Sequence, residues 1–159
     1  MKILLCLLFI LSVYLPLSAQ QIRKVKIGEV EEYIKKTDHP LVISFWATWC
    51  APCVEEIPYL QESVKKASAK KVELILISLD FASFYPKKVA DFISKKKFKA
   101  RFFWLDETNA DEFCPRIDEK WSGSIPATLF INPQTNYRKF FETQLTPEQV
   151  EENIKLLTR

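Results

Sequence analysis

The 159-residue chain is short of glycine and histidine, with 2 Gly and 1 His. Glycine averages about 7% of residues in soluble proteins. The two here, Gly28 and Gly123, lie far apart. A dinucleotide fingerprint needs three clustered glycines and a P-loop needs two at fixed spacing, so both are excluded. The single histidine, His39, excludes His-rich zinc sites and H-E-x-x-H proteases. It leaves a Ser-His-Asp triad with one candidate base and no G-x-S-x-G elbow. A strong charge bias is also missing. The 23 basic and 20 acidic residues give a net charge of +3, which calls for no nucleic acid. Lysine runs such as Lys95-Lys96-Lys97 read as solvated helix faces. Apolar residues are plentiful, at 48% hydrophobic and 13% aromatic, enough for one packed core at this length.

The N-terminus has the pattern of a targeting segment. Met1-Lys2 precedes an apolar run from Ile3 to Leu17, interrupted only by Ser12, Tyr14 and Pro16. Leu17-Ser18-Ala19-Gln20 follows. A basic start, a short apolar stretch and a small residue at the cut describe a secretory signal peptide. The run is shorter than the roughly 18–20 apolar residues that span a bilayer. Cleavage is expected after Ala19, with an uncleaved membrane anchor as the competing reading. The expected division is 1–19 signal peptide and 20–159 a single domain. The mature chain then keeps Cys50, Cys53 and Cys114, with 22 basic and 20 acidic residues. Three cysteines allow at most one bridge, in a compartment where disulfides persist.

Downstream, strand and helix patterns alternate. Strands are predicted at 22–25, 41–45, 72–79 and 102–105, and a hairpin at 127–131 and 137–141. Helical spacing appears around Val30, Tyr33 and Ile34, over 52–66 with a kink at Pro58, over 86–96 and over 110–121. A last helix opens at Thr146-Pro147-Glu148-Gln149, a capping box with proline in its first turn. The alternation predicts an α/β fold, a central mixed β-sheet with helices on both faces.

The chemistry lies in Trp49-Cys50-Ala51-Pro52-Cys53. The pair sits between a buried strand and a helix. Cys50 falls at the helix N-cap, where unpaired N–H groups and the positive end of the dipole favour thiolate. Cys53 lies one turn on, within reach of a mixed disulfide formed at Cys50. Pro52 suits the first turn. The competing reading is half of a zinc site, which only Cys114 and His39 could complete.

Phe45-Trp46-Ala47-Thr48-Trp49-Cys50-Ala51-Pro52-Cys53 resembles the active-site segment of the thioredoxin superfamily, and Ser124-Ile125-Pro126-Ala127-Thr128 resembles its cis-proline loop. The added segment around Phe81–Leu105, with Glu55-Glu56-Ile57-Pro58, is most similar to exported TlpA/ResA-like thiol–disulfide oxidoreductases. The resemblance implies a thioredoxin fold with an inserted strand–helix segment. It implies Cys50 as an exposed nucleophile, Cys53 as the resolving thiol and a cis Ile125–Pro126 bond. It also implies a substrate strand against Ile125 and Pro126, with Trp49 and Pro52 at the rim. Ser44 stands where thioredoxins commonly carry a buried Asp, and Glu56 is the candidate proton carrier in its place. Trp46 is expected in the core and Cys114 as a buried, inert thiol, with a third redox thiol as the competing reading. No metal and no cofactor are expected. The partners implied are a protein disulfide and an upstream thiol electron donor, free or membrane-bound. A monomer, periplasmic or otherwise extracytoplasmic, is expected, with a possible role in cytochrome c maturation. The alternatives are a thiol oxidase or isomerase, and a binding or chaperone module without turnover. A peroxidase of peroxiredoxin type is disfavoured by Ile43 and Ala47, where a threonine-and-proline pattern is expected.

Overall fold

The computed structural model describes residues 21–159. The predicted signal peptide, including Cys6, lies outside the described residues. Six strands form one mixed sheet: β1 (Arg23–Val25), β2 (Leu41–Trp46), β3 (Glu73–Ser78), β4 (Arg101–Leu105), β5 (Ala127–Asn132) and β6 (Tyr137–Phe141). Their order across the sheet is β1-β4-β3-β2-β5-β6. The first four are mutually parallel, while β5 runs antiparallel to both β2 and β6. The added segment supplies β4, which slots between β1 and β3.

Five helices cover the two faces: α1 (Ile27–Lys36), α2 (Ala51–Lys66), α3 (Lys87–Lys96), α4 (Ala110–Ile117) and α5 (Pro147–Leu157). Helices α2, α3 and α5 bury Ile57, Leu60, Val89, Ile93, Val150 and Ile154 in one core layer. Helices α1 and α4 bury Val30, Phe113 and Ile117 in the other. Every residue of β2 is buried, which is why it reads as an unbroken apolar run rather than an alternating one. Trp46 lies in the first layer, as expected. Among the described residues no helix is long and apolar enough to cross a membrane.

One local expectation changes. Helix α4 stops at Ile117, not Trp121. Asp118 turns extended (φ −154°, ψ 131°), and its carboxylate accepts from the Lys120 N–H at 3.1 Å. This side-chain-to-backbone bond competes with the helix and ends it. Helix α2 passes Pro58 as one continuous element. The last helix has the predicted cap: Thr146 Oγ1 accepts from the Gln149 N–H at 3.3 Å, and Gln149 Oε1 accepts from the Thr146 N–H at 2.8 Å.

Candidate active site

Strand β2 delivers the chain to Cys50, which caps α2. Its backbone is extended (φ −90°, ψ 96°), and its Sγ accepts from the Cys53 N–H at 3.3 Å. The two cysteines form a disulfide with Cα atoms 5.3 Å apart. Cys50 is 5% exposed and Cys53 1%. Cys50 is the less buried residue of the pair, but in this disulfide form both are buried, so it is not exposed as the resemblance implies.

The second half of the site arrives on β5. Antiparallel pairing sets Phe45 opposite Ala127, so the end of β2 and the start of β5 meet. The Ile125–Pro126 peptide just before β5 is cis, as the resemblance implies. Gly123 has φ +98°, a conformation that side-chain-bearing residues rarely adopt, so the turn into this loop needs glycine. Glu142 holds the same loop. Its carboxylate accepts from the N–H and Oγ–H of Ser122 and from the Ser124 N–H, at 2.5–3.1 Å. Burial tends to raise its pKa, but the bonds from Ser122 and Ser124 prevail and hold it below the usual carboxylate value.

Glu56 lies in the core beneath the site. One carboxylate oxygen accepts from Thr128 Oγ1 at 3.0 Å and the other from the Leu145 N–H at 2.5 Å. Burial raises its pKa, and these two bonds only partly offset the rise. Thr128 pairs across the sheet with Ser44. The strand neighbour of Ser44 is thus a hydrogen-bond donor to this buried carboxylate on α2.

The sequence reading missed Asp80. Its carboxylate accepts from the Thr48 N–H at 3.1 Å, from Thr48 Oγ1 at 2.6 Å and from Ser78 Oγ at 2.8 Å. Its own carbonyl accepts from the Trp104 indole at 2.7 Å. This ties the loop before Cys50 to the ends of β3 and β4. The available signal was an acid directly after the apolar run of β3, at the same sheet end as the cysteines. Phe81 was also missed. It stacks on Trp49 with ring centroids 6.3 Å apart, and the two side chains are 65% and 55% exposed. They flank a groove of about 400 Å³ that also touches Trp104, Phe113 and Ile125. Such exposed apolar surface is the usual mark of a binding site.

Cys114 is buried and free. Burial pushes its thiol up to about 11, with Glu142 and Asp111 adding to the rise. His39 stands at the other end of the sheet, bonded to Asp38 and Glu73, so it does not join Cys50 and Cys53. Among the described residues no group of three or more His, Cys, Asp or Glu side chains could hold a metal ion.

Residues 15–139 match the model of the AhpC/TSA family. The chain belongs to this family. The chain is similar to the thiol-disulfide oxidoreductase ResA of Oceanobacillus iheyensis, 27% identical over 112 residues, covering 70% of this chain and 53% of that protein. It is similar to ResA of Bacillus subtilis at 24% identity over 115 residues, covering 72% of this chain and 59% of the relative. The chain thus spans little more than half the length of these curated relatives. The fold matches that of a thioredoxin-related protein from Neisseria meningitidis serogroup B, with a TM-score of 0.65 and 20% identity over 78% of this chain and 89% of the other. It also matches a secreted Mycobacterium tuberculosis disulfide oxidoreductase homologous to E. coli DsbE, with a TM-score of 0.57 and 18% identity over 77% and 84%. The fold is therefore thioredoxin-like.

Proposed function

We propose that the protein is an extracytoplasmic thiol–disulfide oxidoreductase that reduces protein disulfides. The observation that carries this reading is the Cys50–Cys53 disulfide at the start of α2, brought beside the cis Ile125–Pro126 bond by the β2–β5 pairing. An extended substrate would pair with the backbone at Ile125. The adjoining groove would take its apolar side chains. The ResA relatives support the chemistry. The signal-like residues 1–19 and the secreted Mycobacterium tuberculosis relative support the location.

In the reduced protein the Cys50 thiolate attacks one substrate sulfur. A Cys50–substrate S–S bond forms, the substrate disulfide breaks, and the released thiolate takes a proton. Cys53 then gives its proton to the Glu56 carboxylate and attacks Cys50. The mixed disulfide breaks, the second substrate sulfur leaves as a thiolate and takes up a proton, Glu56 releases the proton it accepted, and the Cys50–Cys53 bond holds the oxidising equivalents. An external dithiol donor restores the pair. Within this reading, oxidised thiols of apocytochrome c are the substrate that the ResA likeness suggests.

Insulin reduction driven by dithiothreitol tests the activity. Turnover abolished in Cys50→Ser supports the proposal. A wild-type protein without turnover would support a binding module instead. The reduction potential of the pair tests the direction: a value near that of thioredoxin fits a reductase, and one near that of DsbA marks an oxidant.

A further inference from the structure

The near-neutral net charge conceals a polar molecule. Lys65, Lys66, Lys70 and Lys71 lie between the end of α2 and the start of β3. Lys95, Lys96, Lys97, Lys99 and Arg101 lie between the end of α3 and the start of β4. All nine are exposed, and neither stretch contains an acid. The remaining 14 of the 23 basic residues share the rest of the chain with all 20 acids.

Topology gathers the nine at one place. Strands β3 and β4 are adjacent and parallel, with Ile75 beside Arg101, so the two lysine-bearing connections meet at one end of the sheet. The Lys99 N–H donates to Gln61 Oε1 at 3.1 Å, which draws the second connection onto α2. The acids nearby are already engaged: Glu62 pairs with Lys66 at 3.2 Å, and Glu73 with Arg101 at 2.5 Å. The other seven cations make no ion pair among the described residues.

This pole is opposite the redox pair. Cys50 follows the far end of β2, which runs parallel to β3. The 16-residue helix α2 separates Cys50 from Lys66 by about 24 Å. That is about three Debye lengths at physiological salt, so charge at one pole is screened from the other. The parallel pairing of β1 with β4 also means that the chain reaches β1 from the basic side.

We propose that this basic pole docks on an anionic lipid surface and so orients the protein with Cys50 and Pro126 facing away from the membrane. Lys70 and Lys71 border a hollow of about 520 Å³, but Asp38 shares its wall and disfavours a discrete anion there, and the only rings under these cations, Phe92 beneath Lys96 and Tyr33 beneath Arg101, belong to the protein itself. Exposed lysines spread over two connections suit a plane of phosphates better than a discrete ligand. Clustered lysines beside an anionic leaflet gain affinity cumulatively, and salt weakens it.

Co-sedimentation of the full chain with phosphatidylglycerol-containing vesicles, against pure phosphatidylcholine vesicles, tests this. Using both vesicles separates the charge-dependent part from any contribution of the apolar N-terminal run. The expected result is binding at least about tenfold tighter to the anionic vesicles at low salt, lost by about 0.3 M salt. The variant K65Q/K70Q/K95Q/K99Q is expected to lose this preference. The control K120Q/K139Q/K155Q, with nearly the same change in charge, is expected to keep it. Equal binding to both vesicles, or equal losses in both variants, would overturn the proposal. Tighter binding to duplex DNA than to anionic vesicles at matched phosphate would overturn it too. None of these readouts depends on turnover, so the redox reading stands or falls separately.

Discussion

Glu56 is a carboxyl in the core, and its position has consequences measurable in two ways. Its pKa is raised above its ordinary 4.5 by burial, so the folded state binds its proton more tightly than the unfolded state does. That contribution is complete below about pH 4.5 and is lost as pH rises through the raised value. Glu56→Gln is therefore expected to gain in stability relative to wild type as pH rises from about 4 to 7, as read by denaturant titration. If Glu56 also carries the Cys53 proton, the pH profile of insulin reduction will shift in the same variant; an unchanged profile rules that role out. Glu142 has the opposite sign. The bonds from Ser122 and Ser124 depress its pKa against burial, so its stabilisation is present above about pH 4.5 and is lost as pH falls through the lowered value. Cys114, pushed up to about 11, is expected to resist iodoacetamide at pH 8 in the folded protein and to react once it is unfolded. Labelling under native conditions would disprove its burial. Phe81→Ala is expected to raise KM for a peptide disulfide with little change in kcat, because Phe81 lines the groove and touches no reacting atom.

Single residues at element ends decide how the strands are tied together. His39 bonds to Glu73 at 3.0 Å, and Glu73 also accepts from Tyr33 at 2.7 Å and from Arg101. One carboxylate thus joins the starts of β2, β3 and β4. The His39 pKa is raised first by Asp38 and then by Glu73. Its share of stability is present below about pH 6.5 and is lost as pH rises through the raised value. His39→Asn is expected to flatten the stability profile between about pH 6 and 8, by about 1 kcal/mol or less, because Asp38, the larger cause of the shift, is exposed. Identical slopes would show that the network contributes nothing. Elements with strong local signals were legible in the sequence: the apolar run of β2, the capping box of α5 and the thiol at the start of α2. The end of α4 was not, because an Asp118 turn won over helical spacing. The burial of Glu56 was not either. It depends on Thr128 and Leu145, distant in sequence, closing over a helix face that the local pattern marks only as acidic. Nor does any local feature announce that β4 lies between β1 and β3.

At the scale of the molecule, two core layers share one sheet, and β2 is buried from both sides. Neither layer can persist without that strand. Unfolding in denaturant is therefore expected to be a single transition, with far-UV circular dichroism and tryptophan fluorescence sharing a midpoint. Trp46 reports on one layer and Trp121 on the other, so separated midpoints would refute the coupling. The pairing of Phe45 with Ala127 has a further consequence. The reacting sulfurs and the proline loop are fixed by two neighbouring strands in the middle of the sheet. Phe81, Trp104 and Phe113, which wall the groove, come from the stretch of chain between them. Under the proposed function, reactivity and choice of partner are thus written in largely separable passages of the sequence, Trp49 and Ile125 being shared by both. A lineage can rewrite the second while inheriting the first unchanged.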